Sequence, residues 1–207
     1  MKTEIRLMRV EDLPQVLEIE QSWNYLSKWG EEGYRTVLSD PRVYACLVAE
    51  DAEAEMPAEN TLLRKGTGVD VGSESHHAGS TPSSQLGRGI APSLRPPPSQ
   101  EITFDVPEQR AVAGFAIMAL LIDHCELCNL VVRPPYLSRK VGYSLLQQCF
   151  EVARDCGIAR IFLEVRQSNR RAIEFYERNG FQITSQRKNY YRNPPEHAWI
   201  MEKRLEK

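Results

Sequence analysis

The 207-residue sequence lacks the features that mark membrane, secreted and nucleic-acid-binding proteins. Its longest nearly apolar run, residues 111–122, is too short to span a bilayer. The amino-terminal segment has no hydrophobic core of a signal peptide. The 26 basic and 28 acidic residues give no field that would attract nucleic acid or a membrane surface. These observations predict a soluble, cytoplasmic protein without direct contact to nucleic acid or membrane.

Cysteine is scarce and irregularly spaced. The five cysteines are an odd number, which argues against a disulfide framework. Cys125 and Cys128 have the spacing of a metal or redox motif, but no second Cys/His pair follows at zinc-finger spacing. In a strand, residues three apart also point to opposite faces. We therefore expect buried free thiols and no metal site.

Aromatic residues are absent between Tyr44 and Phe104, where Gly, Ser, Pro, Thr and Glu dominate. Such a segment has too little apolar surface to offset the entropy of ordering its backbone. We predict a disordered, low-complexity insertion at about residues 52–109, with residues 102–106 as a short ordered piece. The insertion interrupts a single domain that comprises residues 1–207.

Hydrophobic periodicity predicts the regular elements on both sides of this insertion. A helix is expected to begin with a capping box of Asp12 and Gln15, with Pro14 in its first turn. Gly114 marks a bulge or a close approach in an apolar strand. The other expected elements are strands at residues 4–10, 43–49, 112–118 and 127–132, a short helix at residues 31–38, and a hairpin turn near Asp123 and His124.

Three aromatic residues, Trp23, Tyr25 and Trp29, follow the first predicted helix. They either cap the hydrophobic core or form one wall of a substrate groove, because loops on a rigid scaffold often carry recognition. The sequence leaves both interpretations open.

Residues 129–181 are the stretch around which the chain is organised. They predict a strand, a basic turn, a helix, a strand and a second helix. Arg139 and Lys140 lie directly before a helix amino terminus, whose free N–H groups favour an anion such as a pyrophosphate. A solvated basic turn is the alternative. The second strand ends in a lone acid, Glu164, and Asn169 caps the second helix.

The second half of this stretch carries a longer pattern. Residues 163–169 read LEVRQSN, and they are followed by Ala172, Tyr176, Gly180 and Phe181. Residues 187–191 and 200–202, RKNYY and IME, match a carboxy-terminal hairpin. On these residues the sequence resembles the GNAT acetyltransferase superfamily, and within it the RimI-like N-terminal protein acetyltransferases. The resemblance covers the carboxy-terminal half well and the amino-terminal segment loosely.

The resemblance implies a GNAT fold, an α/β structure of the α+β type. Its mixed, twisted sheet would be flanked by helices and splayed at strands ending near Val132 and Glu164. It also implies an acyltransferase that moves acetyl from its cosubstrate acetyl-CoA to a protein or peptide N-terminus. The implied acceptor is the N-terminal alanine of a small-subunit ribosomal protein.

By the same resemblance, Glu164 is the general base and Tyr176 the general acid. The alternatives are a salt bridge for Glu164, for instance to Arg166, and a core position for Tyr176. Phe175 suits the core better than its neighbour, which leaves Tyr176 for the cleft. The residues expected to contact the cofactor are Leu130, Val131, Val132, Ser138, Arg139, Lys140, Val141, Gly142, Tyr143 and Asn169.

The basic turn departs from the family pattern Q/R-x-x-G-x-G/A at two positions. Leu137 replaces the Q/R, and Lys140 replaces the first glycine. If residue 140 takes a positive φ, a non-glycine side chain costs about 1–2 kcal/mol. Its Cβ would crowd the pyrophosphate, while its charge would attract it. Two alternatives therefore remain: a GNAT enzyme for lysine side chains or small amines, and a non-catalytic partner-binding module.

Overall fold

The computed structural model describes residues 2–24, 28–55 and 110–206. The predicted insertion lies outside these residues, except that strand β2 continues through residues 52–55, where the insertion was expected to begin. The strands are β1 (Thr3–Leu7), β2 (Tyr44–Glu55), β3 (Arg110–Leu120), β4 (Cys125–Val132), β5 (Arg160–Arg166), β6 (Gln182–Arg192) and β7 (Pro195–Arg204). The α-helices are α1 (Leu13–Gln21), α2 (Gly30–Ser39), α3 (Val141–Asp155) and α4 (Arg170–Arg178).

The described strands form one sheet in the order β1-β2-β3-β4-β5-β7-β6. Within it, β4 and β5 are parallel, and the other neighbouring pairs are antiparallel. Helices α1 and α2 pack on one face of the sheet, and α3 and α4 pack on the other. The structure thus confirms the predicted mixed sheet flanked by helices, including the hairpin of β3 and β4.

Each face of the sheet has its own hydrophobic core. On one face, Val16 of α1 and Tyr34 of α2 pack with Phe115 of β3. On the other, the buried stripe of α3 packs against strand residues such as Ile161 and Leu163. Burial of each such large side chain contributes roughly 1.5–3 kcal/mol. The stripe of α3 consists of residues at helical spacing, namely Val141, Leu145, Leu146, Cys149, Phe150 and Ala153.

Strands β4 and β5 diverge after a short paired section. They hydrogen-bond from Cys125 to Leu127 only, within the described ladder. Opposite β3, Leu127 pairs with Met118 and Asn129 pairs with Ile117, so Cys128 is an extra, bulged residue of β4. A bulge shifts the alternation of side chains by one residue. As a result, Leu127 lies in the α3–α4 core, whereas Val131 lies in the α1–α2 core.

Gly114 of β3 pairs with Val132 at the end of β4, where the two backbones lie close together. A Cβ atom at this position would lie 2.6 Å from the carbonyl oxygen of Val131. The register of β3 against β2 also shifts at Ala113, which is the mark of a bulge. The close approach expected as one alternative for Gly114 is confirmed, and the bulge lies at the preceding residue, Ala113.

The predicted capping box at the start of α1 is wrong. Asp12 precedes the helix, but its side chain does not cap it. Its carboxylate instead binds the guanidinium of Arg6, with both oxygen–nitrogen distances at 2.7 Å. The side chain of Gln15 reaches β3, where its Oε1 accepts the N–H of Val112 at 2.8 Å. Both side chains are buried, so tertiary partners replace the local ones; Pro14 does lie in the first turn.

The cysteines are free thiols, as predicted. Cys125 is buried with the α3–α4 core, and Cys128 packs against the α1–α2 core, so the two lie on opposite sides of the sheet. The expectation of burial holds for Cys46, Cys125 and Cys149, whereas Cys128 is only partly buried and Cys156 is exposed just after the end of α3.

Candidate active site

A cavity of about 750 Å³ opens where β4 and β5 diverge. Its walls come from these two strands, from α4, from the β6–β7 hairpin and from Trp29. Four of the predicted site residues line it, namely Leu130, Glu164, Asn169 and Tyr176. The other predicted residues, Val131, Val132 and residues 138–143, lie outside its walls. The structure therefore brings the proposed base and acid to one space.

Glu164 lies on β5, one residue past the last pair that β5 forms with β4. Its Oε1 atom forms an ion pair with Nη1 of Arg187 on β6, and its side chain is 26% exposed. Hydrogen bonding to Glu164 raises the pKa of Arg187, and it raises the pKa of Tyr190 to about 12. Glu164 thus has an ion-pair partner, as the alternative interpretation held, but that partner is Arg187 and not Arg166.

Arg166 instead fixes the turn between β6 and β7. Its guanidinium donates to the carbonyl oxygens of Asn193 and Pro194 at 2.9 and 3.1 Å. It also pairs with Glu196 at 3.2 Å, and it lies 4.0 Å from the ring centre of Tyr191. Because Arg166 is buried, these contacts are shielded from water and hold the hairpin beside the cavity.

Helix α4 presents Tyr176 to the cavity. Asn169 caps the helix as predicted, because its Oδ1 accepts the N–H of Ala172 at 3.2 Å. Tyr176 packs between the rings of Phe175 and Phe181, and burial raises its pKa above the ordinary value. The prediction that Phe175 takes the core position is wrong: Tyr176 is buried, and Phe175 is half-buried. Tyr176 belongs both to the core and to the cavity wall.

The basic turn before α3 has a left-handed backbone at two residues. Ser138 has a φ of +62° and Lys140 has a φ of +63°. Few side chains other than glycine adopt these angles without strain. Lys140 is also the residue that immediately precedes the first turn of α3. Lys140 thus has the positive φ at which a residue other than glycine costs about 1–2 kcal/mol of stability.

Helix α3 begins close to the end of β4. The N–H groups of its first turn, those of Val141, Gly142 and Tyr143, have no partner within the helix. A Cβ atom at Gly142 would lie 3.3 Å from Cγ2 of Val132 and 3.6 Å from Cδ2 of Leu130. The glycine thus keeps this amino terminus against the strand that lines the cavity.

The segment between α1 and α2 contributes Trp29 to the cavity. The buried carboxylate of Glu20 accepts the N–H of Trp29 at 2.6 Å and so fixes its backbone. The ring of Trp29 also packs against the α1–α2 core, so both interpretations of the aromatic segment apply to it. Trp23 donates from Nε1 to the carbonyl oxygen of Val132 at 3.1 Å. Tyr25 lies outside the described residues.

The sequence assigned no role to three residues that line the cavity, Asn129, Arg187 and Tyr190. Arg187 and Tyr190 belong to the RKNYY segment of β6. The sequence does not reveal that this segment lies near Glu164, because that depends on the order β5-β7-β6 in the sheet. Asn129 gave no signal, because its orientation depends on the bulge at Cys128.

Two kinds of feature are not found within the described ranges 2–24, 28–55 and 110–206. No group of three or more His, Cys, Asp or Glu side chains there could hold a metal ion. No helix there is long and apolar enough to cross a membrane.

A family model described as the acetyltransferase (GNAT) family matches residues 77–181, about half of the chain. The match contains the basic turn, α3, Glu164 and Tyr176. It covers the part of the resemblance up to Phe181 but not the segments at residues 187–191 and 200–202, and it begins in the segment that precedes β3.

Two curated relatives carry the name [ribosomal protein bS18]-alanine N-acetyltransferase. The one from Escherichia coli (strain K12) is 36% identical over 90 residues, which are 44% of this chain and 61% of that protein. The one from Haemophilus ducreyi is 38% identical over 97 residues, which are 45% of this chain and 67% of that protein. The chain thus spans less than two thirds of the length of the Escherichia coli relative.

A solved structure extends the similarity to the whole fold. The crystal structure of the ribosomal-protein-S18-alanine N-acetyltransferase from Escherichia coli has a TM-score of 0.65 and 22% sequence identity. The superposition covers 100% of this chain and 96% of that chain. At this identity the likeness concerns the architecture: a mixed sheet with helices on both faces.

Proposed function

Since this chain belongs to the GNAT family of acetyltransferases, we propose that it transfers the acetyl group of acetyl-CoA to the α-amino group of a protein N-terminus. The observation that carries the proposal is the meeting of Glu164 and Tyr176 at one cavity between the diverging strands. The names of the relatives support the N-terminal alanine of a ribosomal protein as the acceptor.

An α-amino group suits this site chemically. Its ordinary pKa is about 7.7–8.0, whereas that of a lysine side chain is about 10.4. A sizeable fraction of N-terminal amines is therefore neutral and nucleophilic near pH 7.5. A single carboxylate, such as that of Glu164, is then sufficient to accept the proton that the amine releases during attack.

The residues at the amino terminus of α3 fit the anionic end of acetyl-CoA. The first turn offers free N–H groups at the positive end of the helix dipole. Arg139 and Lys140 add two positive charges, and the absence of a side chain at Gly142 leaves the turn close to Leu130 of the cavity wall. When bound, acetyl-CoA supplies an acetyl group activated as a thioester. Leu130 and Asn169 would then contact its pantetheine arm.

Within the cavity, each side chain has a distinct task. Glu164 accepts the proton that the attacking amine releases, either directly or through a water molecule. Arg187 and Tyr190 hold this carboxylate in place beside the cavity. Tyr176 keeps its proton at neutral pH because burial raises its pKa, so its hydroxyl can donate a hydrogen bond to the leaving sulfur.

The test of these roles compares three variants by steady-state kinetics and acetyl-CoA calorimetry. Glu164→Gln and Tyr176→Phe should each lower kcat by about 10²- to 10⁴-fold and leave the Kd for acetyl-CoA near the wild-type value. Glu126→Gln is the matched control, because Glu126 is an exposed carboxylate that lines the same cavity. Wild-type turnover in Glu164→Gln and Tyr176→Phe would remove both roles; loss in Glu126→Gln alone would move the base to Glu126.

An acceptor screen tests the proposed reaction. It offers a peptide with a free N-terminal alanine, an N-terminally blocked peptide with a free lysine, and a small primary amine. We expect acetylation of the N-terminal alanine to dominate by mass spectrometry. Dominant acetylation of the lysine or the small amine would replace the proposed substrate class. Absence of acetyl-CoA binding at millimolar concentration would favour a partner-binding module instead.

A further inference from the structure

The side chain of Asn129 has an unsatisfied hydrogen-bond donor at the cavity. Asn129 is 6% exposed, and it lines the cavity between β4 and β5. Its Nδ2 atom is buried and has no hydrogen-bond partner among the residues that the structure describes. Within the described chain, the other buried side-chain N or O atom without a hydrogen bond is Oδ1 of Asp40, which forms an ion pair with Arg42 at 3.6 Å and does not line the cavity. Buried amide groups in proteins are nearly always paired, so this exception calls for an explanation.

The bulge at Cys128 determines which face Asn129 lies on. After the bulge, Leu130 and Val132 pack toward the α3–α4 core, and Val131 packs in the α1–α2 core. Alternation along the strand places the side chain of Asn129 on the same face as that of Val131. The helices α1 and α2 and Trp29 cover this face. Without the extra residue, the amide would face α3 and α4.

Glu164 occupies the same face on the neighbouring strand. Leu163 and Val165 belong to the α3–α4 core, so Glu164 between them points to the side of α1 and α2. Asn129 and Glu164 therefore lie on the same side of the two diverging strands, and both line the cavity. The predicted cofactor turn, by contrast, packs against Leu130 and Val132, whose side chains face α3 and α4.

No described residue forms a hydrogen bond with this amide donor. Glu164 and Glu196, two carboxylates on neighbouring strands, form ion pairs with Arg187 and Arg166. The donor at Asn129 is therefore available to an acceptor atom that a ligand brings. A neutral amide pairs with a neutral carbonyl oxygen without burying an unpaired charge. The side of the sheet on which Asn129 lies assigns that oxygen to the acceptor rather than to the thioester.

We propose that Nδ2 of Asn129 donates a hydrogen bond to the carbonyl oxygen of the acceptor's first residue. This inference rests on the proposed function, because Glu164 must bind the α-amine of the same residue. In a peptide, the α-amine and the first carbonyl are joined through a single carbon atom. A lysine side chain and a simple amine have no carbonyl at that distance from the nitrogen. Asn129 therefore selects peptide N-termini over other amines.

The experiment uses two acceptors and one variant of the full chain. The acceptors are an N-terminal alanine peptide and its analogue in which a trans-alkene replaces the first peptide bond, so that the carbonyl oxygen is absent. Asn129→Leu removes the donor and keeps a buried side chain of similar size. We expect Asn129→Leu to lower kcat/KM for the peptide by about 10- to 100-fold, because the carbonyl loses its partner. For the alkene analogue, wild type and Asn129→Leu should have nearly equal kcat/KM.

The amines of the two acceptors differ in basicity. This difference cancels when kcat/KM of Asn129→Leu is divided by kcat/KM of wild type on the same acceptor. An equal loss on both acceptors would overturn the role of Asn129, since it would show an effect on the thioester or on the fold. The melting temperature separates these causes; Asn129→Leu breaks no hydrogen bond and should melt no lower than wild type.

The wild-type protein alone also provides a test, should Asn129→Leu fail to fold. With kcat/KM calculated for the neutral fraction of each amine, wild type should prefer the peptide to the alkene analogue by at least about tenfold. Equal rates on the two would overturn the inference while leaving N-terminal acetylation intact. Acetylation of neither acceptor, with lysine or small amines acetylated instead, would overturn the proposed function and this inference together.

Discussion

Replacement of Lys140 with glycine should stabilise this fold. Lys140 immediately precedes α3 with φ +63° and ψ +5°, in the left-handed region. A residue with a Cβ atom pays about 1–2 kcal/mol for this conformation. Glycine avoids that cost, but it makes the unfolded chain more flexible, which offsets about 0.4–1 kcal/mol. The net gain for Lys140→Gly therefore lies between about 0 and 1.6 kcal/mol, with a midpoint of about 0.8 kcal/mol, or roughly 2 °C in Tm for a chain of this size.

Urea denaturation, followed by circular dichroism, measures this gain. Lys140→Ala is the matched control, because it removes the charge and keeps the Cβ atom. Its stability should remain near that of wild type. Ser138→Gly tests the same reasoning at an uncharged residue, since Ser138 has a φ of +62°. A Lys140→Gly variant that is less stable than Lys140→Ala would refute the argument from backbone strain.

Lys140→Gly and Lys140→Ala also distinguish the effect of the Cβ atom from the effect of the charge on acetyl-CoA binding. If the ammonium of Lys140 contacts the phosphates of acetyl-CoA, Lys140→Gly and Lys140→Ala should weaken binding by similar factors. The salt dependence of the Kd should also decrease in both, because one ionic contact is lost. A weaker affinity in Lys140→Ala alone, with Lys140→Gly at or above wild type, would show instead that the Cβ atom crowds the phosphates.

Two further predictions concern the scaffold. Gly114→Ala should lower the free energy of unfolding by about 1–3 kcal/mol in urea denaturation, because its Cβ would lie 2.6 Å from the carbonyl oxygen of Val131; unchanged stability would show that β3 and β4 separate easily at this point. Replacement of residues 56–109 by an Asn-Gly turn should leave a folded protein that binds acetyl-CoA, because Glu55 and Arg110 are paired across β2 and β3. Its stability should be retained or raised, by about 0.6 kcal/mol for each halving of loop length. Loss of cooperative melting or of acetyl-CoA binding would contradict the prediction that the insertion is dispensable.

The local elements of this chain were predictable because their signals are short-range. The apolar stripe of α3 and the cap at Asn169 each follow from residues within a few helical turns. The hairpin of β3 and β4 follows from two neighbouring apolar runs joined by a short turn. The capping box at Asp12 failed for the opposite reason. Asp12 binds Arg6 on β1, and Gln15 binds the backbone of Val112 on β3, 97 residues further along the chain; the spacing within one helical turn reveals neither partner.

The residues of the candidate site were also predictable only in part. Glu164 and Tyr176 were identified from the family pattern, and the structure places both at the cavity. The expectation that Phe175 fills the core was wrong, because α4 turns Tyr176 inward against Phe181. Which of two adjacent aromatic residues faces the core depends on how the whole helix is rotated against the sheet.

The sequence by itself determined the order of strands and helices, the family, and the acid and phenol expected to act. Tertiary structure alone decided what those groups contact. The partner of Glu164 is Arg187, 23 residues further along the chain, and the two meet because β7 and β6 pack beside β5. The face of Asn129 depends on one bulged residue, Cys128, which exists only relative to its partner strand. Pairing between strands is a long-range property, so the composition of either strand cannot specify it.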